Sequence, residues 1–319
     1  MGEERFFDIQ GHRGARGLKP ENTLPSFEAA LDAGVTTVET DLHLTRDAVP
    51  VLMHDHFVSE LLYQLIGPQG EAPIPARHPL VSQLSLRQLR CFRGDLNPDP
   101  ACFPTQDTGV TPLAHWFSAS RGFDPYAIPT LADLFAFAAA YAGEPGRHAG
   151  KTDRQRQLAR QVRFDLELKR VPFHSERIGD AFQPEGAGLL ETAGLETAVL
   201  EAARSAGVIE RTIIRSFDHR SIRGVRALEP DVTTAVLVAN TAPAEPAELV
   251  RAAGAQIYGP DYHFLDQLQV RQLHSAGIPI VPWTVNDPED WARLCDWGVD
   301  GITTDYPDRL AEWWRRRRT

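Results

Sequence analysis

The sequence predicts a closed (β/α)8 barrel of TIM type, and three observations predict it. Short β-branched or apolar runs recur between longer segments of helical periodicity, the pattern of repeated βα units on a parallel sheet. The alternation runs through eight units. The open doubly wound alternative would announce a dinucleotide loop after its first strand, whereas GHRGARG has its glycines at the wrong spacing and no acidic partner where one is required.

In chain order, the strand candidates are residues 6–10, 37–42, 162–169, 212–217, 233–238, 256–259, 278–285 and 301–304. A further short run, 49–54, reads as the hairpin partner of the second. Helical periodicity marks 24–33, 131–141, 195–206, 219–228, 244–253, 265–275, 288–296 and 307–316. Two starts carry their own signal, because Thr23-Leu24-Pro25 and Asp287-Pro288 each set a capping side chain just ahead of an early-turn proline. Residues 57–128 break the rhythm with prolines and scattered aromatics, and read as an irregular insertion after the second strand unit, over one barrel mouth. The polar, basic stretch 144–161 reads as a surface connection, and 172–188 as a long loop after the third strand. We therefore expect one domain spanning residues 1–319.

Composition narrows the function. Hydrophobic residues at 42% and charged residues at 24% suffice for a core without disulfides or structural metal. A net charge of −10 argues against nucleic acid as a partner, since such a surface needs excess Lys and Arg, but leaves a small anionic substrate open. Cys91, Cys102 and Cys295 lack metal-ligand spacing and suit a reducing compartment, the other possibility being one bond between Cys91 and Cys102. The start MGEERFFDIQ has no basic n-region or apolar run, and no later run is long enough to insert stably in a bilayer. The expectation is a cytoplasmic protein, or a periplasmic or secreted one if a leader has been removed. No feature of the sequence indicates an oligomeric state.

Four clusters fall at or just after strand ends: His12-Arg13, Glu39 with Asp41, His54-Asp55, and Glu167 with Lys169. Side chains at i and i+2 of a strand point the same way, so Glu39 and Asp41 share a face, as do Glu167 and Lys169. If those faces meet in the barrel mouth, three carboxylates converge and repel one another unless a cation compensates. Oxygen-only ligands favour one hard divalent ion, Mg²⁺ or Ca²⁺, over zinc. Singly, such carboxylates are often solvated or salt-bridged, and a lone histidine is more often a surface or hydrogen-bonded residue. Together they match the needs of phosphoryl displacement: a Lewis acid, the cations Arg13 and Lys169 for phosphate oxygens, and His12 and His54 to exchange protons. His43 and His56 lie close by in sequence; His115, Trp116, Arg121, His174 and Arg177 are candidates for touching a head group. The terminal WWRRRR is read as the solvated end of a helix, its cations set against the C-terminal dipole.

The stretch GHRGARGLKPENTLPSFEAALDAGVTTVETDLHLTRDAVPVLMHD is similar to the N-terminal signature of the glycerophosphodiester phosphodiesterases, and IPTLADLF, IIRSFDH, VPWTVND and GITTDYP resemble later segments of that family. The resemblance implies His12 and His54 as acid/base pair, Arg13 as phosphate ligand, Glu39, Asp41 and Glu167 as metal ligands and Lys169 beside the phosphate. It also implies Trp283, with Phe217, as aromatic lining of the substrate pocket. The family's usual Asp-Gly turn is Asp47-Ala48 here, and HDHFVSELLYQLIGPQG replaces its Arg-Thr-Thr turn. The implied reaction is metal-dependent hydrolysis of a glycerophosphodiester to sn-glycerol 3-phosphate and an alcohol. Its rivals are a lysophospholipase D-like activity on lipid diesters and a non-catalytic barrel that binds phosphodiesters.

Overall fold

A computed structural model of the chain describes residues 6–67, 78–170 and 194–318. Seven parallel strands run side by side: β1 Asp8–Gly11, β2 Thr37–Leu44, β3 Arg163–Leu168, β4 Thr212–Ser216, β5 Thr233–Val238, β6 Ile257–Pro260 and, after an eighth segment, β8 Gly301–Thr304. Residues 278–285 form that segment, β7, and close the ring. Val281 N–H donates to Tyr258 O and Trp283 N–H to Pro260 O on one side (3.0 and 3.1 Å), and Thr303 N–H donates to Pro282 O on the other (3.0 Å). Pro279 and Pro282 have no N–H to give, so β7 pairs through separate bridges rather than a continuous ladder. The predicted barrel is thus observed.

Strand alternation separates two environments. Ile9, Val38, Phe164, Leu166, Ile214, Val236 and Ile302 face outward into the main apolar core beneath the helices. The intervening positions are polar and buried, among them Asp8, Gln10, Glu39, Asp41, Asp165, Glu167 and Arg215. Register stacks them: Glu39 lies beside Asp165, Asp41 beside Glu167, and Glu167 beside Arg215.

Helices Leu24–Ala33, Leu131–Ala142, Leu195–Ser205, His219–Leu228, Pro246–Ala253, Gln267–Ser275, Pro288–Trp297 and Pro307–Arg318 match the periodicity to within a few residues. Thr23 and Asp287 cap their helices as expected, each accepting a backbone N–H. Pro50–Leu52 pairs antiparallel with β2, and the turn between them holds Ala48 at φ 58°, a conformation that favours glycine. In the last helix Arg317 pairs with Asp296, and Trp314 stacks on Phe7 at 4.0 Å.

One expectation needs correction. The insertion is not wholly irregular: it carries a ten-residue helix, Pro112–Arg121, and a short antiparallel pairing of Gln64–Leu65 with Phe92–Arg93. Leu113, Ala114 and Phe117 join the main core, and the Glu28 carboxylate accepts the N–H groups of Leu113 and Ala114 (3.2 and 2.8 Å), which fixes the helix N-terminus. The stretch 144–161 is a largely exposed connection, as read, and it is mostly helical, as Glu144–His148 and Asp153–Gln161, the latter started by a Thr152/Gln155 capping box. None of Cys91, Cys102 and Cys295 is in a disulfide. Among the described residues no helix is long and apolar enough to cross a membrane. The stretch 172–188, with His174 and Arg177, lies outside the described residues.

Candidate active site

At the C-terminal ends of the strands lies a cavity of about 320 Å³. Six side chains from the sequence reading line it (His12, Arg13, His54, Lys169, Phe217 and Trp283), together with the ligand candidate Glu167. Glu39 and Asp41 sit buried on the neighbouring strand, and one carboxylate oxygen from each of Glu39, Asp41 and Glu167 lies within 4.8 Å of the others.

The turn after β1 delivers the first cluster. Arg13 adopts φ 50°, a left-handed conformation that costs a non-glycine residue energy, and Gly14 follows at φ 87°. A side chain at Gly14 would run into Ser26 Oγ at 2.5 Å. This geometry points Arg13 N–H at Glu39 Oε2 (2.7 Å), while the guanidinium reaches Glu21 (2.8 Å) and Asp41 (3.2 Å). Asn22, also left-handed at φ 54°, donates to Asp41 Oδ2 at 2.9 Å.

The carboxylates are unequal. Burial pushes Glu39 up to about 7, with Arg215 opposing and Asp41 and Glu167 adding to the push. Burial pushes Asp41 up too, but Lys169 and Arg13 outweigh it and hold the group well below the usual carboxylate range. Glu39 Oε1, Asp41 Oδ1 and Glu167 Oε1 are buried without an aligned hydrogen bond, although Arg215 lies 2.8 Å from the first and Lys169 lies 3.2 and 2.8 Å from the others. Three inward, hydrogen-bond-poor anionic oxygens fit a hard divalent cation.

The histidines differ. His12 is buried, and its Nδ1 lies 2.7 Å from Asp305 Oδ1. Burial pushes the imidazole down to about 3, against the pull of Asp305. Burial would raise the Asp305 carboxyl, but His12 and Arg16 hold it far below its ordinary range, so it is the acceptor and Nδ1–H the donor. Arg16 binds Asp305 through two nitrogens (2.8 and 3.0 Å) and Asn286 Nδ2 donates to it at 2.7 Å. His12 Nε2 is 4.0 Å from Glu39 Oε2. His54 is one-third exposed, with Nδ1 2.9 Å from Asp55 Oδ1, a bond that lowers the Asp55 pKa. His43 supports from below, donating Nε2–H to the His54 carbonyl at 3.1 Å; burial pushes it down to about 4.

Phe217 and Trp283 meet edge to face at 5.4 Å on the cavity wall, and Trp283 Nε1 donates to Gly259 O at 2.9 Å. His56 borders an adjoining cavity of about 210 Å³. His115, Trp116 and Arg121 stand exposed on the insertion helix, away from the lining. Sequence reasoning missed Arg16, Arg215, Asn286 and Asp305. Asp305 follows the last strand directly, so the strand-end rule that found Glu39 and Asp41 also reaches it.

The glycerophosphoryl diester phosphodiesterase family profile matches residues 12–309. The chain is similar to a glycerophosphodiester phosphodiesterase from Caldanaerobacter subterraneus, at 25% identity over 95% of each chain. A crystal structure of a candidate glycerophosphoryl diester phosphodiesterase from Silicibacter pomeroyi superposes with a TM-score of 0.74 at 26% identity, covering 99% of this chain and 95% of that one. A phosphodiesterase from Oleispira antarctica, solved with its product sn-glycerol-3-phosphate, shares the fold (TM-score 0.66, 19% identity, 96% of each chain).

Proposed function

The chain belongs to the glycerophosphoryl diester phosphodiesterase family, making it a phosphoric diester hydrolase, and from that premise we propose that it releases sn-glycerol 3-phosphate from a glycerophosphodiester by acid/base catalysis at a divalent cation. The observation that carries the reading is the convergence of the Glu39, Asp41 and Glu167 carboxylates with His12, His54, Arg13 and Lys169 around one cavity. The product bound to the Oleispira relative supports the same substrate class.

Glu39, Asp41 and Glu167 would hold the cation, Mg²⁺ or Ca²⁺, which supplies Lewis-acid polarisation of a phosphoryl oxygen. Arg13 and Lys169 bind the remaining phosphate oxygens, Arg13 exchanging Glu21 for substrate. Because Nδ1–H of His12 is spent on Asp305, its Nε2 lone pair is left as the base that takes the proton of the attacking nucleophile, either water directly or a substrate hydroxyl that closes a cyclic phosphate which water then opens. His54, backed by Asp55 and open to solvent, delivers a proton to the leaving alkoxide. Phe217 and Trp283 wall the site against water.

The test is chelator-stripped protein with glycerophosphocholine and glycerophosphoethanolamine, each with Mg²⁺, Ca²⁺ or Mn²⁺ restored. Release of glycerol 3-phosphate only with metal is expected. Equal release without metal would remove the cation from the mechanism, and silence on both diesters but turnover of lysolipids would move the substrate class.

A further inference from the structure

The turn that carries Arg16 is gripped from outside by the insertion. Gln106 Nε2 donates to Arg16 O at 2.7 Å, Thr105 Oγ1 to Gly17 O at 2.9 Å, and Asp107 N–H to Leu18 O at 3.0 Å. Lys19 Nζ returns the contact to Asp107 at 2.5 Å. Tyr306, next to Asp305, lays its ring against Gly17, where a Cβ would meet Tyr306 Cε1 at 2.3 Å, and donates its hydroxyl to Cys102 O at 2.9 Å. The Phe103 ring covers the Arg16 guanidinium, 4.7 Å from Cζ to centroid.

Arg16 in turn holds both oxygens of Asp305, and Oδ1 is the oxygen that receives His12 Nδ1–H. A planar guanidinium that binds a carboxylate with two nitrogens fixes its rotation, and an aromatic face over the guanidinium fixes the guanidinium. We propose that the insertion is a positioning element for catalysis: Phe103 and Gln106 hold Arg16 as the clamp that orients Asp305 and, through it, His12. The inference rests on His12 as base, and it gives the insertion a task apart from walling the substrate. Asn286 holds the same carboxylate from the other side, so loosening Arg16 weakens the arrangement without abolishing it.

Phe103→Leu, Phe103→Trp and Gln106→Ala in the full chain test it. Three quantities are read: kcat and KM on glycerophosphocholine, Mg²⁺ and Ca²⁺ affinity by calorimetry, and the His12 Nδ1–H resonance of histidine-labelled protein, assigned by its absence in His12→Asn. Phe103→Leu should lower kcat by about 3- to 10-fold and displace or broaden that resonance, leaving KM and metal affinity unchanged. Gln106→Ala should act in the same direction, and Phe103→Trp, which keeps an aromatic face, should restore both readouts. Unchanged kcat and resonance in Phe103→Leu would overturn the proposal. So would a rise in KM alone, which makes the segment a substrate wall, or Leu and Trp behaving alike with metal affinity lost. A parent enzyme that turns over no diester would defeat the functional reading instead, and the resonance of Phe103→Leu against Phe103→Trp would still decide the clamp.

Discussion

Two histidine–carboxylate pairs face one cavity and are built in opposite ways. His12 and Asp305 come from the two ends of the chain, 293 residues apart, and are buried with Arg16 and Asn286 closing around the carboxylate. His54 and Asp55 are neighbours in sequence, each about one-third exposed (34% and 31% for the side chains). A base must present a free lone pair in one orientation, which a buried and fully tied partner secures. An acid must regain its proton after each turnover, which solvent access secures. The contrast teaches that the same pair of side chains is fixed or left open by its surroundings, and under the proposed mechanism the fixed pair suits the base and the open pair the acid.

The strongest way to break this comparison is to remove each ring. His12→Ala and His54→Ala should each lower kcat by about 10²–10⁴-fold while calorimetry still finds the metal site. Near-parental turnover in either would end the division of labour. Substrates with a better leaving group sharpen it: a p-nitrophenyl diester should recover much of the loss in His54→Ala and little in His12→Ala, since only the acid becomes dispensable when the leaving group needs no proton. Equal recovery would mean that the roles are shared or reversed.

Next in size is the carboxylate behind each ring. Asp305→Asn should cost about 100-fold in kcat, because the amide no longer selects the Nδ1–H tautomer and loses its charge toward Arg16. Asp55→Asn should cost about 10-fold, since solvent stands in for the missing charge. The reverse ranking would make the exposed pair the more demanding one. The smallest effect belongs to the wall: Trp283→Ala should raise KM by about 10-fold with kcat changed less, and a larger effect on kcat than on KM would assign the indole to the reacting atoms.

Much of this was readable from the chain because it follows local rules. Glu39 with Asp41 and Glu167 with Lys169 share faces by the two-residue strand repeat, and β7 was found despite Pro279 and Pro282 because its apolar run lay between two clear helices. The helix Pro112–Arg121 was missed, although Thr111-Pro112 and Gly122 bracket it with the same start and stop signals seen elsewhere; the prolines and glycines around it masked a ten-residue pattern. Arg16 and Asn286 carried no periodic signal, and Arg215, although placed by strand periodicity on an inward face, had nothing beyond that to single it out. Each is defined by a partner far along the chain, such as Glu39 for Arg215 and Asp305 for Arg16 and Asn286.

By itself, then, the sequence determined the barrel and picked out the carboxylates, histidines and cations that the fold brings together, because strand periodicity and strand-end position are properties of neighbouring residues. Only the tertiary structure decided which histidine is locked, which carboxylate locks it, and what the insertion touches. Ring closure brings Asp305 beside His12 and lays residues 102–109 along the Arg16 turn, and the distances and burial that set proton position exist only once the chain has closed.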